Sequence, residues 1–205
     1  MALVELSLAQ AEEAVRGHED RLSVAVSNSP RSTVLSGHPA ALEEVLSQLV
    51  RKNVFCRQVK VDVASHSPQM DALRGELLEA LEGLLPSTAK LPMYSTVTGC
   101  VIEGAELAAA YWVRNLRDPV RFAESVQQLL TQGHTLFVEM SPHPILLPAI
   151  EEGLRHAERQ GAALPSLRRE QDERRVLHSS LGALYAHGYA VQWKQLYPSA
   201  GRCVP

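Results

Sequence analysis

The sequence predicts an α/β chain in two units: an antiparallel four-stranded sheet in βαββαβ order, then a partial α/β alternation. Three observations carry this. Short runs with apolar residues at every second position recur up to residue 65. Stretches with apolar residues at helical spacing separate them. After Ser67 the pattern changes to helices interrupted by single strands, too few to close a sheet alone.

"MALVEL" (1–6) reads as a short strand. "SLAQAEEAVRGHED" opens on Ser7, a helix N-cap, and Ala11, Ala14 and Val15 share one face. In "RLSVAVSNSP", Leu22, Val24 and Val26 alternate with Ser23, Ala25 and Ser27, which gives a strand. "NSPRS" is a turn by composition, and "STVLSG" completes a hairpin. "HPAALEEVLSQLVRKN" is a helix with Pro39 in its first turn and Leu42, Val45, Leu46 and Leu49 on one face. "VFCRQVKVDVAS" (54–65) reads as the fourth strand. This order is the ferredoxin-like split-βαβ arrangement, both helices on one side of the sheet. The fold by itself names no function.

The second unit opens with a helix over "SPQMDALRGELLEALEGLLP", Pro68 in its first turn and Met70, Leu73, Leu77, Leu78 and Leu81 on its apolar face. "MYSTVTG" (93–99) reads as a strand, "GAELAAAYWVRNL" and "VRFAESVQQLLTQG" as helices, the latter ended by Gly133. "HTLFVEMSP" lacks polar alternation, as expected of a strand buried on both faces. "HPILLPAIEEGL" resumes helix. "GAALPSLRREQDERR" reads as linker, "VLHSSLGALYAHGYAVQW" as an amphipathic helix ending near Gly188, and "LYPSAGRCVP" as an irregular end.

Composition narrows the function classes. The 205 residues are 45% hydrophobic, enough for a core, but only 5% aromatic, so that core must be Leu, Val and Ala. Net charge is −3, and the basic stretch "LRREQDERR" (167–175) is interleaved with acids, so no nucleic-acid footprint is expected. No apolar run approaches the ~20 residues of a membrane span. The three cysteines, Cys56, Cys100 and Cys203, form no CxxC, and no HxH or HExxH occurs, so no metal site is expected. The odd cysteine count and the lack of a secretory leader point to a reducing cytoplasm.

"VDVASHSPQMD" (61–71) raises the functional question, because His66 stands where the strand gives way to the next helix. A lone histidine there is more often a turn residue than a catalyst. Two features favour chemistry. The junction between two units is where clefts bind ligands, and Ala64 and Ser65 leave space beside the ring. Such a histidine can serve a serine or thiol nucleophile as general base once a third group fixes its tautomer.

The same stretch resembles the histidine motif of acyltransferase domains in modular type I polyketide synthases. "AVSNSPRSTVLSG" (25–37), "YWVRNLRDPVRF" (111–122) and "FVEMSPHPIL" (137–146) resemble further blocks of that family in the same order. "LGALYAHGYAVQWKQLYP" (181–198) resembles the linker that follows the domain. The resemblance implies a ferredoxin-like subdomain over 1–64, the C-terminal part of an α/β-hydrolase-like acyltransferase core over 65–160, and a post-domain linker over 161–205. It also implies acyl transfer through an acyl-serine, from an extender acyl-CoA to the phosphopantetheine thiol of an acyl carrier protein. No bound cofactor is implied. The partners implied are that carrier protein, the ketosynthase and other domains of the same synthase, with no nucleic acid and no membrane.

Site residues follow by position. His66 aligns with the catalytic base, and Asn115 with the residue whose backbone carbonyl orients the imidazole, or else Asn115 serves only the turn before "RDP". Asn28 either faces the cleft or serves the hairpin turn. His143, between prolines, shapes a loop beside the site rather than doing chemistry. Val63, Ala64, Ser65 and His66 occupy the four positions that track extender choice in the family, His-Ala-Phe-His for malonyl and Tyr-Ala-Ser-His for methylmalonyl. Ser65 leaves room for an α-methyl group that Phe would fill, which favours methylmalonyl. Val63 in place of Tyr departs from that pattern, and malonyl stays open.

The main departure is the nucleophile. The family serine lies in a GHSxG elbow, and no GxSxG occurs in these residues. In the family that elbow, the carboxylate-binding arginine and the first oxyanion-hole segment all precede the point matching Met1. The chain is therefore expected to be the C-terminal part of an acyltransferase. A non-catalytic docking module for the carrier protein or neighbouring domains is the alternative. By itself the chain should form no acyl-enzyme and should behave poorly through exposed strand edges, with residues 1–64 its best-folded part. Size-exclusion chromatography and thermal melting check this: a clean, cooperatively melting monomer contradicts it.

Overall fold

Alternation in the first third does build a sheet with one greasy face. The computed structural model describes residues 1–197. Strands β1 (Ala2–Val4), β2 (Leu22–Ser29), β3 (Ser32–Gly37) and β4 (Cys56–Gln58) form a four-stranded sheet in the order β2-β3-β1-β4. All neighbours are antiparallel. Helices α1 (Leu8–Val15) and α2 (Pro39–Arg51) cover one face. There Ala2, Val4, Leu22, Val24 and Leu35 meet Ala11 and Val15 of α1 and Leu42, Val45, Leu46 and Leu49 of α2. Ser7 caps α1 in a reciprocal box with Gln10, and Pro39 sits in the first turn of α2. This is the ferredoxin-like subdomain that the sequence predicts.

Two details of this sheet matter later. The β2–β3 register shifts by one residue between Val24 and Val26 and again between Ser27 and Ser29, so Ala25 and Asn28 are bulges. The fourth strand is much shorter than its sequence pattern. Only Cys56–Gln58 pair with β1, and after the Val59 N–H reaches the Met1 carbonyl the ladder ends. Residues 59–65 leave the sheet as an irregular strap, with Val59, Val61 and Val63 exposed. The alternation there reflects an extended strap rather than a strand, because no partner backbone lies alongside.

The second unit also departs from its pattern. The helix expected over 67–86 starts as a 3-10 helix (Pro68–Leu73), tightened by the Met70 N–H bonding the Ser67 carbonyl, and α3 spans only Arg74–Ala80. Of its apolar face, Met70 alone is buried. The strand expected over 93–99 is a hairpin, β5 (Met93–Ser95) with β6 (Cys100–Ile102). Gly99, at φ +72°, takes the left-handed turn position that a side chain resists. The hairpin packs through Val97 and Ile102 on Tyr111 of α4 (Ala109–Arg117), whose hydroxyl meets the buried Ser95 hydroxyl at 2.8 Å.

Helix α5 (Phe122–Thr131), strand β7 (Leu136–Glu139), helix α6 (Leu147–His156) and strand β8 (Ala162–Pro165) then form a βαβ unit with a leading helix. β7 and β8 pair in parallel, so residues read as the start of the linker belong to the sheet. Val126, Leu130, Ile150 and Leu154 form the core beneath Phe137. β7 is not buried on both faces: Leu136 and Phe137 are half-buried and Val138 is exposed, because β8 is its one neighbour in this sheet. Helix α7 (Glu173–Ala186) packs on β8, its Ser180 hydroxyl donating to the Pro165 carbonyl at 2.7 Å, and a short α8 (Trp193–Leu196) follows. The irregular end expected at 196–205, with Cys203, lies outside the described residues from 198 onward. Among the described residues no helix is long and apolar enough to cross a membrane.

The two units are stitched along β2. The Ser27 N–H donates to the Val120 carbonyl at 2.9 Å, and the Val120 N–H donates to the Ala25 carbonyl at 2.8 Å. The Ser29 hydroxyl donates to Glu152 of α6 at 2.5 Å. Leu35, wholly buried at the centre of the first core, sets a test. Leu35→Ala should cost about 2–5 kcal/mol in denaturant melts, whereas Val50→Ala, on an exposed face of α2, should change stability by less than ~0.5 kcal/mol.

Candidate active site

A proline decides the geometry around His66. Pro119 bars the preceding residue from helical dihedrals, and Asp118, the C-cap of α4, is accordingly extended at φ −77°, ψ 156°. That turn swings the Asp118 carbonyl out of the helix axis. His66 Nδ1 lies 2.8 Å from it. A carbonyl oxygen can only accept, so Nδ1 carries the proton and the Nε2 lone pair of the neutral ring is left available.

The backbone of His66 is held as well. Its N–H donates to the Leu116 carbonyl at 2.9 Å, one of the orphan acceptors at the end of α4. Its own carbonyl accepts from the Ser23 hydroxyl of β2 at 2.5 Å. Between these anchors His66 takes φ +59°, the left-handed region. A bulky residue in that region costs about 1–3 kcal/mol, which is sustained only where surrounding contacts over-determine it. Ser67 closes the loop: its buried hydroxyl donates to the Ala64 carbonyl at 2.7 Å and accepts from the Gln69 N–H. Arg117 of α4 reaches Asp71 of the 3-10 helix at 2.8 Å, tying the two sides of the junction.

The orienting carbonyl is therefore that of Asp118, not that of Asn115. Asn115 lies inside α4, where carbonyls run along the helix axis, and its half-buried side chain makes no hydrogen bond among the described residues. Val63 is exposed at the end of the strap, with Ala64 and Ser65 half-buried beside the ring. Asn28 is not in the hairpin turn, which is Pro30 and Arg31. It is the second bulge of β2, half-buried. Sequence reasoning missed Asp118, Leu116 and Ser23. The first two act through main-chain oxygens, and Pro119 was the one legible sign of them.

His143 lies in the loop between β7 and α6. It is exposed, its Nδ1 accepts from the Arg169 N–H at 3.4 Å, and its carbonyl lies 3.0 Å from the Ser141 hydroxyl oxygen. Among the described residues no hydrogen bond joins it to His66. The loop is built around Glu139, at the end of β7 and 7% exposed. Its carboxylate accepts from the N–H groups of Ile145, Leu146 and Leu147 at 2.8, 2.9 and 3.2 Å, and from the Ser141 hydroxyl at 3.0 Å. Those amides are the open N-terminus of α6, where negative charge is favoured. Burial by itself pushes the Glu139 carboxyl up, but the three amides and the hydroxyl together outweigh it and hold it below its ordinary 4.5. Above the loop, Phe137, Val138, Met140, Ile145 and Ile150 line an open groove of about 610 Å³.

This arrangement agrees with what comparison finds. Residues 1–190 match the family of acyl transferase domains. The chain is 42% identical over 201 residues to the spectinabilin polyketide synthase system protein NorA' of Streptomyces orinoci, covering 98% of this chain and 6% of that protein. It is 38% identical over 202 residues to erythronolide synthase EryA2 of Saccharopolyspora erythraea, again covering 98% and 6%. The solved acyltransferase domain from module 8 of the salinomycin polyketide synthase aligns at TM-score 0.91 and 39% identity, over 94% of this chain and 46% of that one. The acyl transferase domain of SpnD, in complex with 2-(pent-4-yn-1-yl)malonyl, aligns at TM-score 0.81 and 25% identity, over 91% and 46%. The chain belongs to the acyltransferase domains of modular type I polyketide synthases. It spans less than half of those solved domains and a small part of each synthase.

Glu139 yields a pH test. Its carboxyl is depressed by folding, so its contribution is full above the ordinary 4.5 and is lost as pH falls through the folded value. Glu139→Gln should lower stability by about 1–3 kcal/mol at pH 7, because a neutral amide cannot serve three amide donors and a hydroxyl as a carboxylate does. Melts from pH 7 down to pH ~3 should show the gap between parent and variant closing only below the ordinary value.

Proposed function

We propose that this chain supplies the general base of an extender-unit acyltransferase, with the serine nucleophile provided by sequence outside these residues. The observation that carries this reading is the His66 Nδ1–Asp118 carbonyl contact, which leaves Nε2 as the basic atom. In the first half-reaction Nε2 takes the serine proton as the hydroxyl attacks the thioester carbonyl of the acyl-CoA. The C–S bond breaks, and the imidazolium returns the proton to the CoA thiolate. In the second half, Nε2 takes the proton of the carrier protein's phosphopantetheine thiol as its sulfur attacks the acyl carbonyl; the new C–S bond forms, the acyl-serine C–O bond breaks, and the proton returns to the serine oxygen. The absence of any GxSxG elbow supports an external nucleophile and an inactive isolated chain.

The extender is a malonyl-class acyl group, with methylmalonyl favoured. Ser65, small and half-buried next to the base, supports an α-substituent. The SpnD domain, solved with a substituted malonyl, supports the same class. Carrier protein and neighbouring synthase domains are the partners, with the cytoplasm as the setting.

The test is intact-mass analysis of the chain expressed with its native flanking sequence and offered malonyl-CoA and methylmalonyl-CoA together. A methylmalonyl adduct should form, and His66→Ala should slow it by ~100-fold or more. Ser65→Phe should move the product ratio toward malonyl by about tenfold, the scale of one methyl group in a pocket. An adduct that forms as fast in His66→Ala overturns the base assignment. No adduct from a folded protein that carries the elbow favours a docking module.

A further inference from the structure

We propose that Ser23 is a positioning residue for the base. Its hydroxyl reaches from the ferredoxin-like sheet to hold the His66 carbonyl, and so keeps the imidazole aimed. The proposal rests on the reading of His66 as the general base.

Ser23 lies between Leu22 and Val24, both buried in the core under α1 and α2. Strand alternation therefore turns its side chain to the opposite face. There Oγ donates to the His66 carbonyl at 2.5 Å, across 43 residues of sequence. The other two contacts of His66, from its N–H and from Nδ1–H, both run to the end of α4. They fix one side of the residue. On the other side Ser67 is tied to Ala64 and Gln69, and the His66 carbonyl between them is held by Ser23. Without it the loop can relax toward negative φ, the ordinary state of a histidine, and the ring swings off the Asp118 carbonyl. The lock on the Nδ1–H tautomer goes with it.

The same strand sets the other half of the clamp. Two residues beyond Asp118, Val120 is pinned to β2 through the Ala25 carbonyl and the Ser27 N–H. The groups that grip His66 from both sides are thus anchored within five residues of one strand. Any shift of the small subdomain against α4 moves the base through Ser23. The cross-strand neighbour of Ser23 is Ser36, whose wholly buried hydroxyl takes no hydrogen bond among the described residues. It serves as a control for loss of a buried hydroxyl in the same sheet.

The experiment compares Ser23→Ala, Ser23→Thr, Ser36→Ala and His66→Ala in the protein expressed with its native flanking sequence, following acyl transfer to carrier protein under steady-state conditions. Ser23→Ala should lower kcat by about tenfold to a hundredfold, with KM for acyl-CoA changed less than about twofold. Ser23→Thr, which keeps the hydroxyl, should restore most of it. Ser36→Ala should run at the parent rate. Where Ser23→Ala loses the far-ultraviolet signature of the parent, Ser23→Cys carries the same test with a near-isosteric, weaker donor. A parental kcat in Ser23→Ala, with His66→Ala inactive, overturns the positioning role and leaves the base assignment standing. Full activity in His66→Ala overturns both.

Discussion

A histidine in the left-handed region, held at three atoms, is the constraint on which the site depends. The N–H and Nδ1–H run to the last carbonyls of α4, and the carbonyl accepts from β2. No one of these bonds is worth more than ~1–2 kcal/mol net. Together they sustain a backbone state that no histidine prefers. The free atoms of helix α4 do two tasks at once. They find donors, as exposed helix ends must, and they select a tautomer. Pro119 makes both possible by turning Asp118 out of the helix.

The role of the ferredoxin-like unit follows. It supports the His66 junction through backbone and hydroxyl contacts along β2. It offers a rigid edge strand with two bulges, and those bulges matter because they re-aim backbone groups toward a neighbour. The first bulge, Ala25, presents its carbonyl to Val120, and Ser27 presents its N–H. An all-antiparallel sheet with a dense Leu, Val and Ala core is a stiff support for such contacts. The second unit uses the same economy at Glu139, where one buried carboxylate ends a strand, caps a helix and shapes the loop that carries His143.

What the sequence revealed, and what it hid, divides along physical lines. The βαββαβ order was legible because each long element carries its own period, as Leu22, Val24 and the Leu42–Leu49 stripe do. His66 stands out as a candidate because it lies between serines at a unit boundary and because the stretch around it resembles the family's histidine motif. Short elements were not legible. Strands of three or four residues, such as Met93–Ser95 and Ala162–Pro165, are too brief to display alternation. The strap over 59–65 displays alternation without a partner strand, so pattern alone overstated β4. The shift from Asn115 to Asp118 has a different cause. A main-chain oxygen leaves no mark in side-chain identity, and only the proline that follows betrays it. In the sequence Ser23 reads as the polar half of an alternating strand, which is its local role; its bond to residue 66 is a tertiary fact.

The central claim is that the fold locks His66 as the Nδ1–H tautomer and leaves Nε2 basic. Long-range nitrogen–proton correlation of the histidine rings by NMR, at a pH where the ring is neutral, tests it most directly. The expected result for His66 is a proton on Nδ1 and a lone pair on Nε2, the reverse of a free histidine side chain, in which Nε2–H is the commoner form. A His66 ring protonated at Nε2, or averaging between the two forms, would contradict it.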